Sequence, residues 1–289
     1  MEHEQHSHRF HAVDGVKNMR DAGGLPIEGG QKSRSGLLFR AGSLSGVTAK
    51  GTQDLKALGI RHVFDLRDPQ EAATSGLPDL AGIDAEYHSA PMFDMALFPM
   101  RRNGKPWPTL MNGFAPTYIF CLDEGRSCFA QLVRLLLRTG GNEPVVFNCH
   151  VRALLVFCLT LAIYVYLPQT GKDRTGLIAM LLQLIAEVPE EVVLQDYSLT
   201  NVADPAKEMA EQKGANMGKN ALTPQEQTNM MMATEDNMEM TLHFFKRIWG
   251  SVEEYCTRSD GCGLTPAEYA GIRDLLRASD AAAPRRSSL

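Results

Sequence analysis

Cys149 and Arg174 are the two side chains whose types could do chemistry together, if the fold brings them close. Cys149 lies in Phe147-Asn148-Cys149-His150, at the end of an apolar, β-rich run, and Arg174 lies in Thr170-Gly171-Lys172-Asp173-Arg174-Thr175-Gly176. With 151–169 set aside, the pieces join as Val-Val-Phe-Asn-Cys-His-Thr-Gly-Lys-Asp-Arg-Thr-Gly, a cysteine and an arginine separated by five residues. A loop of that length, leaving a strand and entering a helix, turns consecutive backbone N–H groups toward one point, where the helix N-terminus adds its positive end. Such a cradle fits a phosphate dianion. The same field favours the thiolate of Cys149, which is the attacking species. Arg174, at the far end, grips two phosphate oxygens and holds them as charge spreads in the transition state.

As written, Cys149 and Arg174 stand 25 positions apart, and a loop so divided is expected to be inactive. The interruption carries no Asp, Glu or Lys; its only charge is Arg152, and its apolar core runs over 153–167. Three readings compete: a membrane span, a buried strand or helix, or a piece foreign to the mature chain. A span needs about 20 apolar residues, more than this core offers. The stretch begins with Val151 and ends with Gln169, whose codons allow GT and AG at the two edges. An in-frame retained intron is therefore the favoured reading, because the excision that gives these edges also restores the spacing.

The elements that must position the loop read as follows. Residues 37–40 form a strand, 41–45 a loop that caps a helix over 48–58, and Gly59 its stop. Residues 60–67 form a second strand, followed by a turn at Asp68-Pro69 with Glu71. Strand, helix, strand implies a parallel sheet, with another strand at 87–91. Residues 91–117, dense in Pro, Met, Phe and Gly and containing Trp107, suit a flap beside the loop or a surface excursion packed on itself. A single helix is expected over 117–137 with Phe120, Leu132 and Leu136 in the core, and Cys121 and Cys128 as buried small hydrophobes. Residues 175–188 read as a central buried helix whose first turn closes on the phosphate. A polar excursion over 203–229, a helix over 230–249 and a capped helix over 265–278 with Ile272, Leu275 and Leu276 inward complete the chain.

Composition bounds the rest. The 289 residues are 44% hydrophobic, enough for one domain with a sizeable core. A net charge of −5 without a basic tract gives no general attraction for nucleic acid or anionic membranes. The six cysteines show no zinc spacing and no disulfide framework, which fits a reducing, cytoplasmic setting. Residues 1–12 read as a flexible tail in which His3, His6, His8 and His11 are solvated, 13–278 as a single domain and 279–289 as a second flexible tail. The first residues lack the apolar core of a secretory signal.

Asn18-x-Arg20-Asp21-x-Gly23-Gly24, Phe39-Arg40-Ala41-Gly42-x-Leu44-Ser45, Phe64-Asp65-Leu66-Arg67-x-x-x-Glu71 and Gly171-Lys172-Asp173-Arg174-Thr175-Gly176 follow one another in order. They are joined downstream by Asp196-Tyr197-Ser198-Leu199-Thr200-Asn201 and by Trp249-Gly250-Ser251-Val252-Glu253-Glu254-Tyr255 leading to Gly263-Leu264-Thr265. The set resembles the tyrosine/serine protein phosphatase family of cysteine-dependent enzymes, a bacterial-type family with fungal members. Only 151–169 is foreign to it, and Asn148 stands where many relatives have histidine.

The resemblance implies an α/β fold with a mostly parallel sheet flanked by helices. It implies hydrolysis of phosphotyrosine, with phosphoserine, phosphothreonine or phosphoinositide as further possibilities, through a phosphocysteine on Cys149. It places Asp173 inside the loop as the general acid; Asp94, on the flap, is the second choice. His150, Thr170, Gly171, Lys172 and Thr175 would bind the substrate, His150 through its backbone and Thr175 as a hydrogen-bond donor to the departing thiolate. No metal or cofactor is required, and no stable membrane insertion is expected. Arg20, Asp21, Arg40, Asp65 and Arg67 are read as buried ion pairs behind the loop, and Asp196 as orienting helices. If 151–169 is retained, the alternative is a catalytically inactive phosphatase-like protein.

Overall fold

The computed structural model describes residues 7–94, 101–102, 105–106, 114–149, 154–158, 161–165, 170–203 and 232–277. His150, Trp107, most of the expected flap, the 203–229 excursion beyond Ala203 and the C-terminal tail lie outside them.

Strands β1 (Arg20–Asp21), β2 (Leu38–Ala41), β3 (His62–Asp65), β4 (Glu86–Ser89) and β7 (Val145–Asn148) form one sheet in the order β1-β2-β7-β3-β4. All neighbours run parallel except β1 against β2. Val145-Val146-Phe147 is apolar throughout and takes the centre, as a strand covered on both faces must. Alternate side chains sort to two cores: Phe39, Val63 and Val146 face α1 (Ala49–Ala57), while Leu38, Phe64, Val145 and Phe147 face the larger helical layer. The register pairs Ala41 and Asp65 with Asn148, so three strands end level where Cys149 begins the next loop. Short strands β5 (Arg101–Arg102) and β6 (Lys105–Pro106) pair with each other apart from this sheet.

The helical layer holds α3 (Ala115–Glu124), α4 (Arg126–Arg138), α5 (Arg174–Ile185), α6 (Glu190–Ser198), α7 (Glu235–Trp249), α8 (Val252–Thr257) and α9 (Pro266–Arg277). Helix α5 is apolar on every side and lies at the centre; each fully buried leucine or isoleucine on it contributes about 1.5–3 kcal/mol.

Several expected elements change. The single helix over 117–137 breaks at Gly125, where an added Cβ would come within 2.6 Å of both the Cys121 carbonyl and Met92. Leu132 and Leu136 are buried as expected, but Phe120 and Leu275 are only half-buried. Thr48, rather than the 41–45 loop, caps α1 by accepting from the Gly51 amide. The turn at Asp68-Pro69 is the start of helix α2 (Pro69–Ser75): Asp68 accepts from backbone amides of its first turn, Pro69 opens the helix, and Glu71 returns to the Asp68 amide at 2.8 Å. Residues ahead of 13 also pack onto the sheet and its helices. Arg9 is buried, Phe10 bridges Arg20, and the His11 amide donates to the Met19 carbonyl.

The interruption contributes strands β8 (Leu154–Cys158) and β9 (Leu161–Val165), which pair antiparallel with each other and, among the described residues, join no other sheet. No helix among the described residues is long and apolar enough to cross a membrane.

Candidate active site

Cys149 leaves the C-terminal end of the central strand, and Arg174 opens the most buried helix, so the two ends of the divided loop are fixed by the two most firmly packed elements of the fold. Against burial, Cys149 is one of the groups that favour the protonated forms of Arg174, Lys172 and Arg40, after Glu71 for the first, Asp173 for the second and Asp196 for the third. Strands β8 and β9 pair with Leu154 opposite Val165, so an excursion of this kind need not separate Cys149 from Thr170.

The loop's return limb is pinned from behind. Asn18 donates through Nδ2 to the Thr170 carbonyl at 2.6 Å, and Arg40 donates to the Gly171 carbonyl at 3.1 Å. Gly171 has φ +63°, and a Cβ there would stand 2.0 Å from the Ala41 carbonyl oxygen, so only glycine fits between loop and strand β2. The carbonyls are thus occupied on the outer side of the turn.

Arg174 is oriented by Glu71. Two guanidinium nitrogens donate to the two carboxylate oxygens at 2.6 and 2.9 Å, and one of them also reaches the Leu66 carbonyl at 3.3 Å. Burial opposes the charge of Arg174, but Glu71 and then Cys149 outweigh it and hold its proton more tightly than usual. The oxygen of Glu71 that accepts from Asp68 also accepts from Arg174, so one carboxylate starts α2 and aims the arginine.

Lys172 is buried with its ammonium 3.9 Å from the centre of the Phe114 ring and 3.4 Å from Asp173 Oδ1. Burial lowers its proton affinity, against the pull of Asp173 and Cys149. Tyr118 donates to Asp173 Oδ1 at 2.5 Å and shares a 2.6 Å contact with the Tyr197 hydroxyl. Burial and the neighbouring Asp173 push the Tyr118 hydroxyl well above its ordinary range, so it remains a donor. The Asp173 side chain keeps 17% exposure, more than any other titratable group of the loop's return limb. Asp94, by contrast, is an exposed residue after β4.

Behind the loop, Asp196 collects Arg9 at 2.7 Å, Arg40 at 3.1 Å and Arg20 at 3.7 Å, with Gln183 donating at 3.0 Å. Asp65 is forked by Arg67, closest at 2.6 Å, and accepts from the Tyr87 hydroxyl. Asp21 instead accepts from Ser35 and from the amides of Gly23 and Gly36. Among the buried polar groups without a hydrogen-bond partner in the described residues, two flank the loop: the Asn148 amide, one position before Cys149, and the Thr175 hydroxyl, one after Arg174.

Sequence reasoning did not find Glu71, Tyr118 or Arg9. The Asp-Pro-x-Glu spacing of a capping box was the available signal for Glu71; nothing local marks Tyr118 or Arg9.

The sequence profile of the tyrosine phosphatase family matches residues 11–151 and 165–278, leaving 152–164 outside the match. A Cupriavidus necator protein named as a tyrosine-protein phosphatase is 26% identical over 251 residues, covering 84% of this chain and 81% of that protein. The triple specificity protein phosphatase PtpB of Mycobacterium tuberculosis is 28% identical over 197 residues, or 60% of this chain and 63% of that protein.

Proposed function

The chain belongs to the tyrosine phosphatase family, and on that footing we propose that Cys149, Arg174 and Asp173 carry out phosphomonoester hydrolysis at the C-terminal end of the central strand. The placement of Cys149 at the end of the central strand, and of Arg174, gripped bidentately by Glu71, at the start of α5, carries this reading.

Cys149 Sγ attacks phosphorus in line with the ester oxygen, forming the S–P bond as the P–O bond breaks. Arg174, held by Glu71, takes the equatorial oxygens together with backbone amides of His150, Thr170, Gly171 and Lys172, of which His150 lies outside the described residues. Asp173 gives its proton to the leaving oxygen, then accepts one from the water that hydrolyses the phosphocysteine. The Thr175 hydroxyl is a donor for the thiolate that departs in this second step. The substrate class is a phosphorylated protein. Phosphotyrosine is the proposed preference, with phosphoserine, phosphothreonine and phosphoinositide headgroups as the proposed wider range; the mycobacterial relative is named a triple specificity protein phosphatase. The cytoplasm is the proposed location, in keeping with five free cysteines among the described residues.

We also propose that one phosphatase domain runs through residue 278 and that 151–169 is foreign to its mature form. The gap in the family match and the self-paired hairpin both support this. Removing 151–169 is expected to raise kcat/KM for an aryl phosphate by about 100-fold over the intact chain, the scale of a misplacement of about 1 Å at a reacting centre, with vanadate blocking both. A shortened chain that folds, by circular dichroism, but hydrolyses nothing would overturn the mechanism. Adjacent codons for His150 and Thr170 in the transcript would establish the shortened chain as the natural one. Glu71→Gln is expected to lower kcat/KM by about tenfold or more, since a guanidinium without its bidentate partner samples other rotamers; unchanged kinetics would mean that substrate alone orients Arg174.

A further inference from the structure

Toward the end of the strands opposite Cys149, His62 and Glu86 begin β3 and β4 in register with each other, and His88 follows two residues later on the same face of β4. His62 Nδ1, His88 Nε2 and Glu86 Oε2 form a triangle with edges of 3.0, 3.7 and 3.7 Å. The in-plane centre of these three atoms lies about 2.0 Å from each, so a tetrahedral ion, which sits above that plane, would stand only slightly farther from them, within the range of zinc bonds to imidazole nitrogen and carboxylate oxygen. Their mutual separations also bracket the edge of about 3.3 Å that a tetrahedral site with such bonds requires.

A fourth residue sets the chemistry of the first. Glu143, just before β7, meets His62 Nε2 at 2.7 Å. A carboxylate there takes the Nε2 proton and leaves the Nδ1 lone pair for whatever stands on the other side. Without an ion, His88 fills that need by donating its Nε2 proton across the 3.0 Å contact. With an ion, His88 shifts its proton to Nδ1 and both imidazoles become neutral ligands.

We propose that His62, His88 and Glu86 bind one divalent ion of the zinc class, with Glu143 orienting His62 and a water completing the shell. Two imidazoles and one carboxylate favour Zn²⁺ over Mg²⁺ or Ca²⁺, which prefer all-oxygen shells. Bridging edge strand β4 to β3, the ion ties the sheet's rim and stands apart from the phosphate loop.

The test uses Co²⁺ as a spectroscopic probe and Zn²⁺ as competitor on the full chain. We expect one equivalent of Co²⁺ with the intense visible bands of tetrahedral coordination, without the near-ultraviolet charge-transfer band of a thiolate ligand, and displaced by Zn²⁺. His88→Ala and Glu86→Gln should abolish the bands, and Glu143→Gln should weaken affinity by about 10- to 100-fold. Glu86 is 68% exposed, so its variant tests the site without threatening the fold. Cys149→Ser and a chain with His3, His6 and His8 replaced by alanine should bind as the parent does. Absence of tetrahedral bands, their persistence in Glu86→Gln, or their loss only with the N-terminal histidines would overturn the proposal.

Discussion

Cys149→Ser is expected to abolish aryl phosphate hydrolysis, lowering kcat by about 10⁴-fold or more, the scale seen when a covalent nucleophile is removed. The reason lies in the ionisation of the attacking atom. A thiol ionises near pH 8.5 in water and is easily drawn lower by positive neighbours, whereas a hydroxyl needs an adjacent base. Arg174, Lys172 and Arg40, the cations on which Cys149 acts, offer no base to take a proton from serine. The variant should still bind vanadate or phosphate within about tenfold of the parent, because Arg174 and the loop amides are untouched and charge-assisted hydrogen bonds supply the affinity. Titration calorimetry with phosphate alongside steady-state kinetics separates the two. Turnover above about one per cent of the parent would show that another group attacks phosphorus, and no phosphocysteine would then be trapped by acid quenching.

Much of this site was legible in the chain because it is local. Cys149 lies one residue beyond a strand and Arg174 opens a helix, so residue type, spacing and element boundaries suffice to find them. The paired β2, β3 and β7 are likewise short apolar runs bounded by turn residues. What was not legible depends on contacts made far along the chain. Tyr118 stands 55 residues before the Asp173 it serves, and a tyrosine in an apolar helix carries no local mark of a polar partner. Arg9 looks like part of a histidine-rich tail until Asp196, 187 residues later, is seen to bind it. Glu71 was read as part of a turn, since a capping box and a turn share Asp-Pro; only the folded helix shows that its carboxylate has a second task. Gly125 breaks a helix that hydropathy alone continues, because Met92 occupies the space that a side chain would need.

The interruption teaches a related point. A separation of 25 positions looked fatal to a loop that needs five, since a cradle cannot span that contour as one curve. A hairpin changes the geometry, because strands that pair with each other bring their outer ends together whatever length lies between. The ends of the loop are then set by β7 and α5, whose apolar residues share one core. What the hairpin cannot restore is the row of consecutive amides, and so the intact chain is placed below the shortened one in activity rather than at zero.

Asp196→Ala is expected to cost about 3–5 kcal/mol of stability, the penalty for leaving buried charge without its partner. Arg9, Arg20 and Arg40 are each at most 3% exposed and meet at this one carboxylate, so its loss leaves three guanidinium groups repelling one another inside the fold. Burial alone would favour the protonated acid, but Arg20, Arg9 and Arg40 overcome it and hold the Asp196 carboxyl well below the usual carboxylate range. A depressed folded-state value fixes the sign: the stabilisation is fully present above the unfolded pKa and is lost as pH falls toward the folded one. Urea titrations should therefore show the full gap between parent and variant at neutral pH and a narrowing gap below the ordinary carboxylate range. Because Arg40 also carries the Gly171 carbonyl, phosphate affinity should fall in the folded variant as the return limb loosens. A gap that stayed constant down to strong acid would mean that the arginines are balanced by another group, and that Asp196 holds them by shape rather than by charge.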